Sequence, residues 1–126
     1  MTRDMELIRR ILFAVEKQFV DVAIYNLQID GYDNKAVAYH CNLLYQAGLI
    51  KDYKDQYADN ELYTFGVSSL TWEGHDYLDK IRSETVWNKT KSVISEKGLP
   101  FMIETVKEVA SVVVSGMVQG AIAGIK

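Results

Sequence analysis

The feature that most constrains the fold is the stretch DNKAVAYHCNLLYQAGLI, at residues 33–50. Its interior-type side chains recur at helical spacing, which predicts a helix with one buried face: Val37, His40, Cys41 and Leu44. Asp33 is predicted to cap the start of this helix, because its carboxylate can accept hydrogen bonds from free backbone N–H groups. Gly48 is predicted to end the helix in the left-handed conformation, and Leu49 and Ile50 then return the chain to the core.

Another helix and a β-hairpin are predicted on either side of this stretch. Residues 3–18, RDMELIRRILFAVEKQ, show the apolar spacing of an amphipathic helix. Residues 20–32 are rich in β-branched and aromatic side chains and end in Asp-Gly and a tyrosine, which predicts a short extended segment and a turn. Residues 50–57 and 61–69 alternate aromatic and polar side chains, a pattern that predicts an antiparallel hairpin.

The second half of the chain is predicted to be helical. Residues 71–83 form one helix, capped by Thr71, and residues 83–97 form another, which Gly98 ends. Pro100 is predicted at the first position of a last helix, where its missing N–H costs nothing.

The order of these elements predicts an α+β, mostly helical fold: a winged helix-turn-helix with a C-terminal helical extension. The hairpin is the wing, and the helix before it takes the recognition position. We expect a winged-helix domain at residues 1–98, followed by a hydrophobic helix at residues 99–126. That helix is predicted to pack on the domain or at a dimer interface.

Three segments resemble one known family: TRDMELIRRIL, GYDNKAVAYHCNLLYQAGLI and LTWEGHDYLDKIRSETVWNK. Together they are similar to the bacterial and phage family catalogued as domain of unknown function 2513, over roughly residues 1–110. The resemblance implies a winged-helix fold and a frequent prophage context. It implies no established activity, so no catalytic residue is carried over.

Two tryptophans, Trp72 and Trp87, lie in the distinctive part of this resemblance. We expect both to be architectural, because an indole brings a large apolar area to the junction between elements. Trp72 is predicted to cover the base of the hairpin, and Trp87 to pack against the first or third helix. Gly74 is predicted to let its helix approach a neighbouring backbone closely.

The chain shows no pattern of catalytic, cofactor-binding or metal-ligating residues. His40 and Cys41 are adjacent on a helix and point in different directions, so they do not form a nucleophile–base pair. We expect His40 to be a hydrogen-bonded interior residue and Cys41 a core residue, while His75 and Asp79 can pair on a helix surface. Two histidines and one cysteine do not supply a zinc site, and no phosphate-binding glycine motif is present. The sequence therefore predicts neither an enzyme nor a cofactor.

The cellular setting is predicted from the cysteine content and the start of the chain. A single cysteine cannot form an intramolecular disulfide, and no basic segment followed by an apolar run opens the sequence. Both features favour a cytoplasmic location.

Charge bears on the most obvious function of a winged helix, DNA binding. The helix at residues 33–48 would offer Asn34, Lys35, Ala38, Tyr39, Asn42 and Gln46 to a groove, with Lys51 and Lys54 on the phosphates. The site residues predicted for DNA are therefore Asn34, Lys35, Tyr39, Asn42, Lys51 and Lys54. From Asp21 to Asp79, however, three lysines face ten acidic residues, a formal charge of −7. The leading hypothesis is a phage-associated DNA-binding regulator, and the alternative is a protein-interaction module with an acidic wing.

Residues 109–125 form a run of seventeen without charge. Its glycines are spaced four apart, and two larger side chains lie on the same helix face, which gives the predicted dimer contacts: Val113, Gly116, Met117, Gly120 and Gly124. A helix packed on the protein's own core is the simpler alternative. Membrane contact is not expected, because the run is short and contains Ser111, Ser115 and Gln119.

Overall fold

The computed structural model describes residues 1–124, so Ile125 of the predicted uncharged run and Lys126 lie outside the described residues. The elements in chain order are α1 (Met5–Gln18), β1 (Ile24–Tyr25), α2 (Asn34–Gln46), β2 (Tyr53–Ala58), β3 (Glu61–Val67), α3 (Trp72–Ile81), α4 (Glu84–Glu96) and α5 (Ile103–Ala123). The predicted α+β, mostly helical class is confirmed. The contacts divide the chain into two compact units, Met1–Leu78 and Asp79–Lys126.

The N-terminal unit is built on the packing of α1 against α2. Asp4 caps α1 by accepting a hydrogen bond from the Leu7 N–H at 3.1 Å, and Asp33 caps α2 in the same way from the Ala36 N–H at 2.8 Å. The buried faces follow the helical spacing of the sequence: Leu7, Ile8, Ile11, Leu12 and Val15 on α1, and Val37, Ala38, His40, Cys41 and Leu44 on α2. Both predicted helices are confirmed.

The three strands form an antiparallel sheet in the order β1-β3-β2. The predicted hairpin is confirmed, and its loop is one residue shorter than expected because Ala58 pairs with Glu61. Asp59 and Asn60 both have positive φ, at 52° and 64°, which is the two-residue turn that matches the twist of paired strands. Between the pairs Gln56–Thr64 and Tyr57–Leu62, β3 carries an extra residue. The extended segment predicted before α2 supplies the third strand, β1.

The base of the hairpin is closed where α2 ends and α3 begins. Gly48 has a φ of 78°, as predicted for the end of α2. The Thr71 hydroxyl donates to the Gly48 carbonyl and accepts from the Gly74 N–H at 3.0 Å, so Thr71 caps α3 and holds the end of α2. A Cβ on Gly74 would collide with the Leu49 carbonyl oxygen, which confirms the predicted close backbone approach.

Trp72 contradicts its predicted role, because 78% of its surface is exposed and it does not cover the hairpin. The residues of α3 that are buried lie at helical spacing, and Trp72 falls outside that stripe: Gly74, Tyr77, Leu78 and Ile81. The predicted pair of His75 and Asp79 is also wrong. His75 lies 3.8 Å from Glu16, and Asp79 pairs with Arg82 at 2.8 Å.

In the C-terminal unit, α4 and α5 pack against each other. The Trp87 ring is buried, as predicted, and lies 5.8 Å from the Phe101 ring. Gly98 ends α4 with a φ of 63°, and the Leu99 N–H donates to the Ile94 carbonyl at 3.0 Å. The chain must then reverse before the next helix, so α5 starts at Ile103 and not at Pro100.

Only the first half of α5 is covered. Val106 and Ala110 are buried on the side that α4 occupies, whereas every residue at 115–124 is exposed.

Candidate recognition surface on α2 and the hairpin

The solvent-facing side of α2 presents most of the side chains predicted to contact a partner. Asn34, Lys35 and Tyr39 are exposed, and Asn42 is half-buried. Ala38 is only 3% exposed, so its predicted place on this side is wrong. It lies on the face that packs into the core, because the buried Cys41 is three residues further along, on the same side of the helix.

An ion pair joins the start of α2 to the tip of the hairpin. The Lys35 ammonium lies 2.9 Å from a Glu61 carboxylate oxygen, and both side chains are more than half exposed. The hydrogen bond to Glu61, followed by its negative charge, raises the pKa of Lys35. The single cation predicted on the groove-facing side of α2 is therefore paired with a carboxylate of the hairpin.

The two other predicted lysines do not join this side. Tyr53 lies on the sheet face that packs inward, with its ring 6.3 Å from the buried Phe65 ring. Because successive strand residues point to opposite faces, Lys54 lies on the outer face, where it lines a pocket of about 180 Å³ with Tyr25. Lys51 precedes β2 at the base of the hairpin, where its N–H donates to the Ser69 carbonyl at 2.9 Å.

The hairpin contributes an exposed tyrosine to the same side as Lys35. Tyr57 is 64% exposed and lies close enough to Lys35 to contribute to its raised pKa. We define the α2–hairpin surface as five residues: Asn34, Lys35, Tyr39, Tyr57 and Glu61. The sequence showed the alternating tyrosines of the hairpin. It did not show that Tyr57 is exposed next to Lys35, because the position of Tyr57 depends on where α2 meets the strands.

A hydrogen-bonded cluster behind this surface fixes α2 on α1. The His40 Nε2 accepts from the Asp4 N–H at 2.8 Å, and its Nδ1 lies 2.8 Å from the Ala36 carbonyl oxygen. The geometry assigns the proton to Nδ1, so the ring is neutral in this arrangement. The Tyr32 hydroxyl donates to the Asp4 carboxylate at 3.0 Å. His40 is thus the interior histidine that the sequence predicted.

The described residues offer neither a reactive thiol nor a cluster of metal ligands. Burial raises the pKa of the Cys41 thiol to about 12, which keeps it protonated and unreactive. Among residues 1–124, no group of three or more His, Cys, Asp or Glu side chains is placed to hold a metal ion. The predicted absence of an enzyme activity stays a prediction.

The N-terminal unit carries a net negative charge. Residues 1–78 contain seven Lys and Arg residues against twelve Asp and Glu residues, a formal charge of −5. Such a charge attracts basic partners and repels nucleic acid over distances set by the salt concentration.

These features define a small α+β protein in which a helix and a hairpin share one exposed surface. Residues 2–100 match the family described as hypothetical protein (DUF2513), and the chain belongs to that family. It is also 41% identical, over 122 residues, to an "Uncharacterized protein" of Haemophilus influenzae (strain ATCC 51907 / DSM 11121 / KW20 / Rd). The match covers 93% of this chain and 98% of the relative. No solved structure matches the chain.

Proposed function

We propose that the N-terminal unit is a winged-helix recognition module that binds a protein partner with a basic surface. In this proposal α2 takes the position of the recognition helix, and the hairpin of β2 and β3 takes that of the wing. The element order and the pairing of β1 with β3 support the winged-helix assignment.

The ion pair between Lys35 and Glu61 is the observation that carries the choice of partner. Contact with DNA draws most of its affinity from lysines and arginines that neutralise phosphates. The one cation among the five residues of the α2–hairpin surface already has a carboxylate partner. A phosphate would have to displace Glu61 and would bring its own negative charge next to that carboxylate.

The remaining side chains of the surface suit a protein interface. Tyr39 and Tyr57 combine a large apolar area with a hydroxyl that can hydrogen-bond, and tyrosine is enriched at the centres of such interfaces. Glu61, in a unit of formal charge −5, would attract lysine and arginine side chains. The partner is therefore expected to carry basic residues around a patch that accepts two tyrosine rings.

DNA is the second candidate, favoured by the amides of Asn34 and Asn42 on one side of α2. Amide groups at this position can read base edges. In this version the protein is a DNA-binding regulator, with the phage or prophage context that its family resemblance implies.

A single substitution separates the two candidates, because it changes their affinities in opposite directions. Glu61→Gln removes a negative charge and releases the Lys35 ammonium. Binding to a basic protein should weaken by about two- to fivefold, with a smaller salt dependence. Binding to DNA should strengthen by a similar factor, because Lys35 becomes available to a phosphate.

The protein arm uses capture from nuclease-treated host lysate, followed by titration of the purified partner against wild type and variant. The DNA arm uses a low-salt gel shift with genomic fragments. Asp76→Asn is the control, since it removes one charge from an exposed position on α3. A gel shift that strengthens with Glu61→Gln, and disappears when Lys35, Tyr39 and Asn42 become alanine, would replace the protein proposal with DNA binding.

A further inference from the structure

The C-terminal helix α5 has apolar side chains on all of its sides. It is 21 residues long, and within it residues 109–123 carry no charge. Among residues 1–124 it is the one helix long and apolar enough to cross a membrane by length and composition. Helices in the cores of soluble proteins can have the same composition, but they are mostly buried. Here only 11% of the most apolar 18-residue window of α5 is buried.

A dimer formed through the glycines would not cover this helix. Gly120 and Gly124 lie on the side that continues the packing face of Val106, since steps of three and four residues return to one side, and Gly116 lies beside that face. They leave the opposite side in water.

The uncovered side carries large apolar side chains. Val118 and Ile122 each lie two positions from Gly120, about 200° around the helix, and they are 51% and 63% exposed. A second copy seated on the glycines would leave both in water. A medium that surrounds the helix would cover both sides, which a single docked partner would not.

We propose that α5 inserts into a lipid bilayer. The uncharged residues 109–123 give a length of about 22 Å, shorter than the roughly 30 Å thickness of a bilayer's hydrocarbon core, so the bilayer would thin around the helix. A helix that lies flat on a membrane has one strongly charged face, and α5 has none beyond its first two turns. The Ser111 hydroxyl donates to the Lys107 carbonyl at 2.7 Å, so this polar group has a partner within the helix. Ser115 and Gln119 are exposed and would enter the bilayer as polar side chains on the side of Ser111.

The N-terminal end of α5 has the side chains expected at a membrane surface. Leu99 and Phe101, in the connection from α4, are 41% and 38% exposed and would lie at the interface. Lys97 is exposed near the same end, and Lys107 lies 3.8 Å from Glu104 in the first turns of the helix. From residue 79 onward, seven Lys and Arg residues stand against five Asp and Glu residues, a formal charge of +2. This charge complements a surface with anionic lipids.

The insertion is independent of the recognition function proposed for the N-terminal unit. If α5 inserts, the N-terminal unit would bind its partner while the chain is attached to a membrane. Either proposal can fail while the other stands, because one is measured with vesicles and the other with a soluble partner or DNA.

The test is flotation of the full chain with phosphatidylcholine vesicles, prepared with and without phosphatidylglycerol. We expect the wild type to float with both kinds, more completely with the anionic vesicles, and to stay bound after washing with molar salt and alkaline carbonate. The double substitution Val118→Asp and Ile122→Asp should reduce the bound fraction at least tenfold, because each carboxylate would enter hydrocarbon.

The matched control places the same two charges on α4, as Asn88→Asp and Ser95→Asp, at exposed positions outside the inserted segment. It should float with phosphatidylcholine vesicles as the wild type does. Both pairs of substitutions lie at exposed positions, so circular dichroism should show unchanged helix content.

Three results would overturn the proposal. The first is a wild type that does not float, and the second is flotation that the two aspartates on α5 do not reduce. The third is a vesicle-free dimer that does not bind vesicles and that Gly120→Leu converts to monomer, which would assign α5 to self-association.

Discussion

Two helices of this protein, α2 and α5, differ in how their sequence relates to their surroundings. In α2 the buried and exposed sides have different side chains, with Val37, Cys41 and Leu44 inside and Asn34 and Lys35 outside. In α5 apolar side chains lie on every side, beside one row of polar residues at Ser111, Ser115 and Gln119, and only its first half meets a partner from the chain. The amphipathic α2 is thus covered within the chain, whereas the second half of α5 is not.

The largest expected difference between the two helices is in cysteine reactivity. Burial raises the pKa of Cys41 to about 12 from an ordinary value of 9.0, which lowers its thiolate fraction about a thousandfold. A cysteine placed at the exposed position 115, as Ser115→Cys, should have an ordinary thiol. Iodoacetamide at mildly alkaline pH, in vesicle-free buffer, should modify the new cysteine at least a hundredfold faster than Cys41. Peptide mass spectrometry measures both in one molecule, and comparable rates would show that the core around Cys41 opens.

A glycine substitution tests the tight packing of the N-terminal unit. Gly74→Ala places a Cβ against the Leu49 carbonyl oxygen, a backbone atom that cannot rotate away. We expect the free energy of unfolding to fall by about 3 kcal/mol, measured by urea denaturation. Gly120→Ala is the matched control, because a Cβ there meets nothing within 4 Å. It should leave stability unchanged or raise it slightly, since alanine is the better helix former.

Removing the His40 hydrogen bonds should lower the free energy of unfolding slightly less than the Gly74→Ala substitution does. His40→Ala leaves the Asp4 N–H and the Ala36 carbonyl without their partner and opens space in the core. We expect a loss of about 2–3 kcal/mol in unfolding free energy. Tyr39→Ala, one residue away on the exposed side, should cost less than about 1 kcal/mol. Equal losses at the two positions would contradict the role given to His40.

The smallest effect is expected within α5 itself, from one substitution made at two positions. Val106→Ala removes two methyl groups from a fully buried site and should cost about 1.5–2 kcal/mol. Val118→Ala removes the same atoms from an exposed site and should change stability by less than about 0.5 kcal/mol in vesicle-free buffer. A cost at Val118 close to that at Val106 would mean that the second half of α5 is covered in solution.

Local sequence rules predicted the elements of this fold well, because each rule acts over a few residues. Asp33 and Gly48 bound α2 as their capping chemistry requires, and the turn at Asp59 and Asn60 follows from side chains that tolerate positive φ. The error at Trp72 came from its residue type and its place at the junction of the hairpin and α3, where an indole often packs. The helical stripe that begins at Gly74 already excluded Trp72 from the buried side of α3.

The candidate site was less predictable, because it depends on contacts between distant segments. The pair of Lys35 and Glu61 joins residues 26 positions apart, and its distance follows from the length and bend of the hairpin. Lys54 was assigned to the same site as Lys35, although the strand alternation places it on the outer face of the sheet. Sequence spacing gives the side of one element on which a residue lies, but not which elements meet there.

The closed base of the hairpin has a consequence for how this protein can diversify. Thr71 joins the end of α2 to the start of α3 through its hydrogen bonds, and an antiparallel β-bridge pairs Ile50 with Leu70 next to this contact. The two helices are therefore held by contacts that do not involve the tip at Asp59 and Asn60. Lengthening a loop costs little, about 0.6 kcal/mol for each doubling. The hairpin can therefore accept insertions and exchanged tips while the helices keep their positions, so related chains can acquire new binding partners without a new fold.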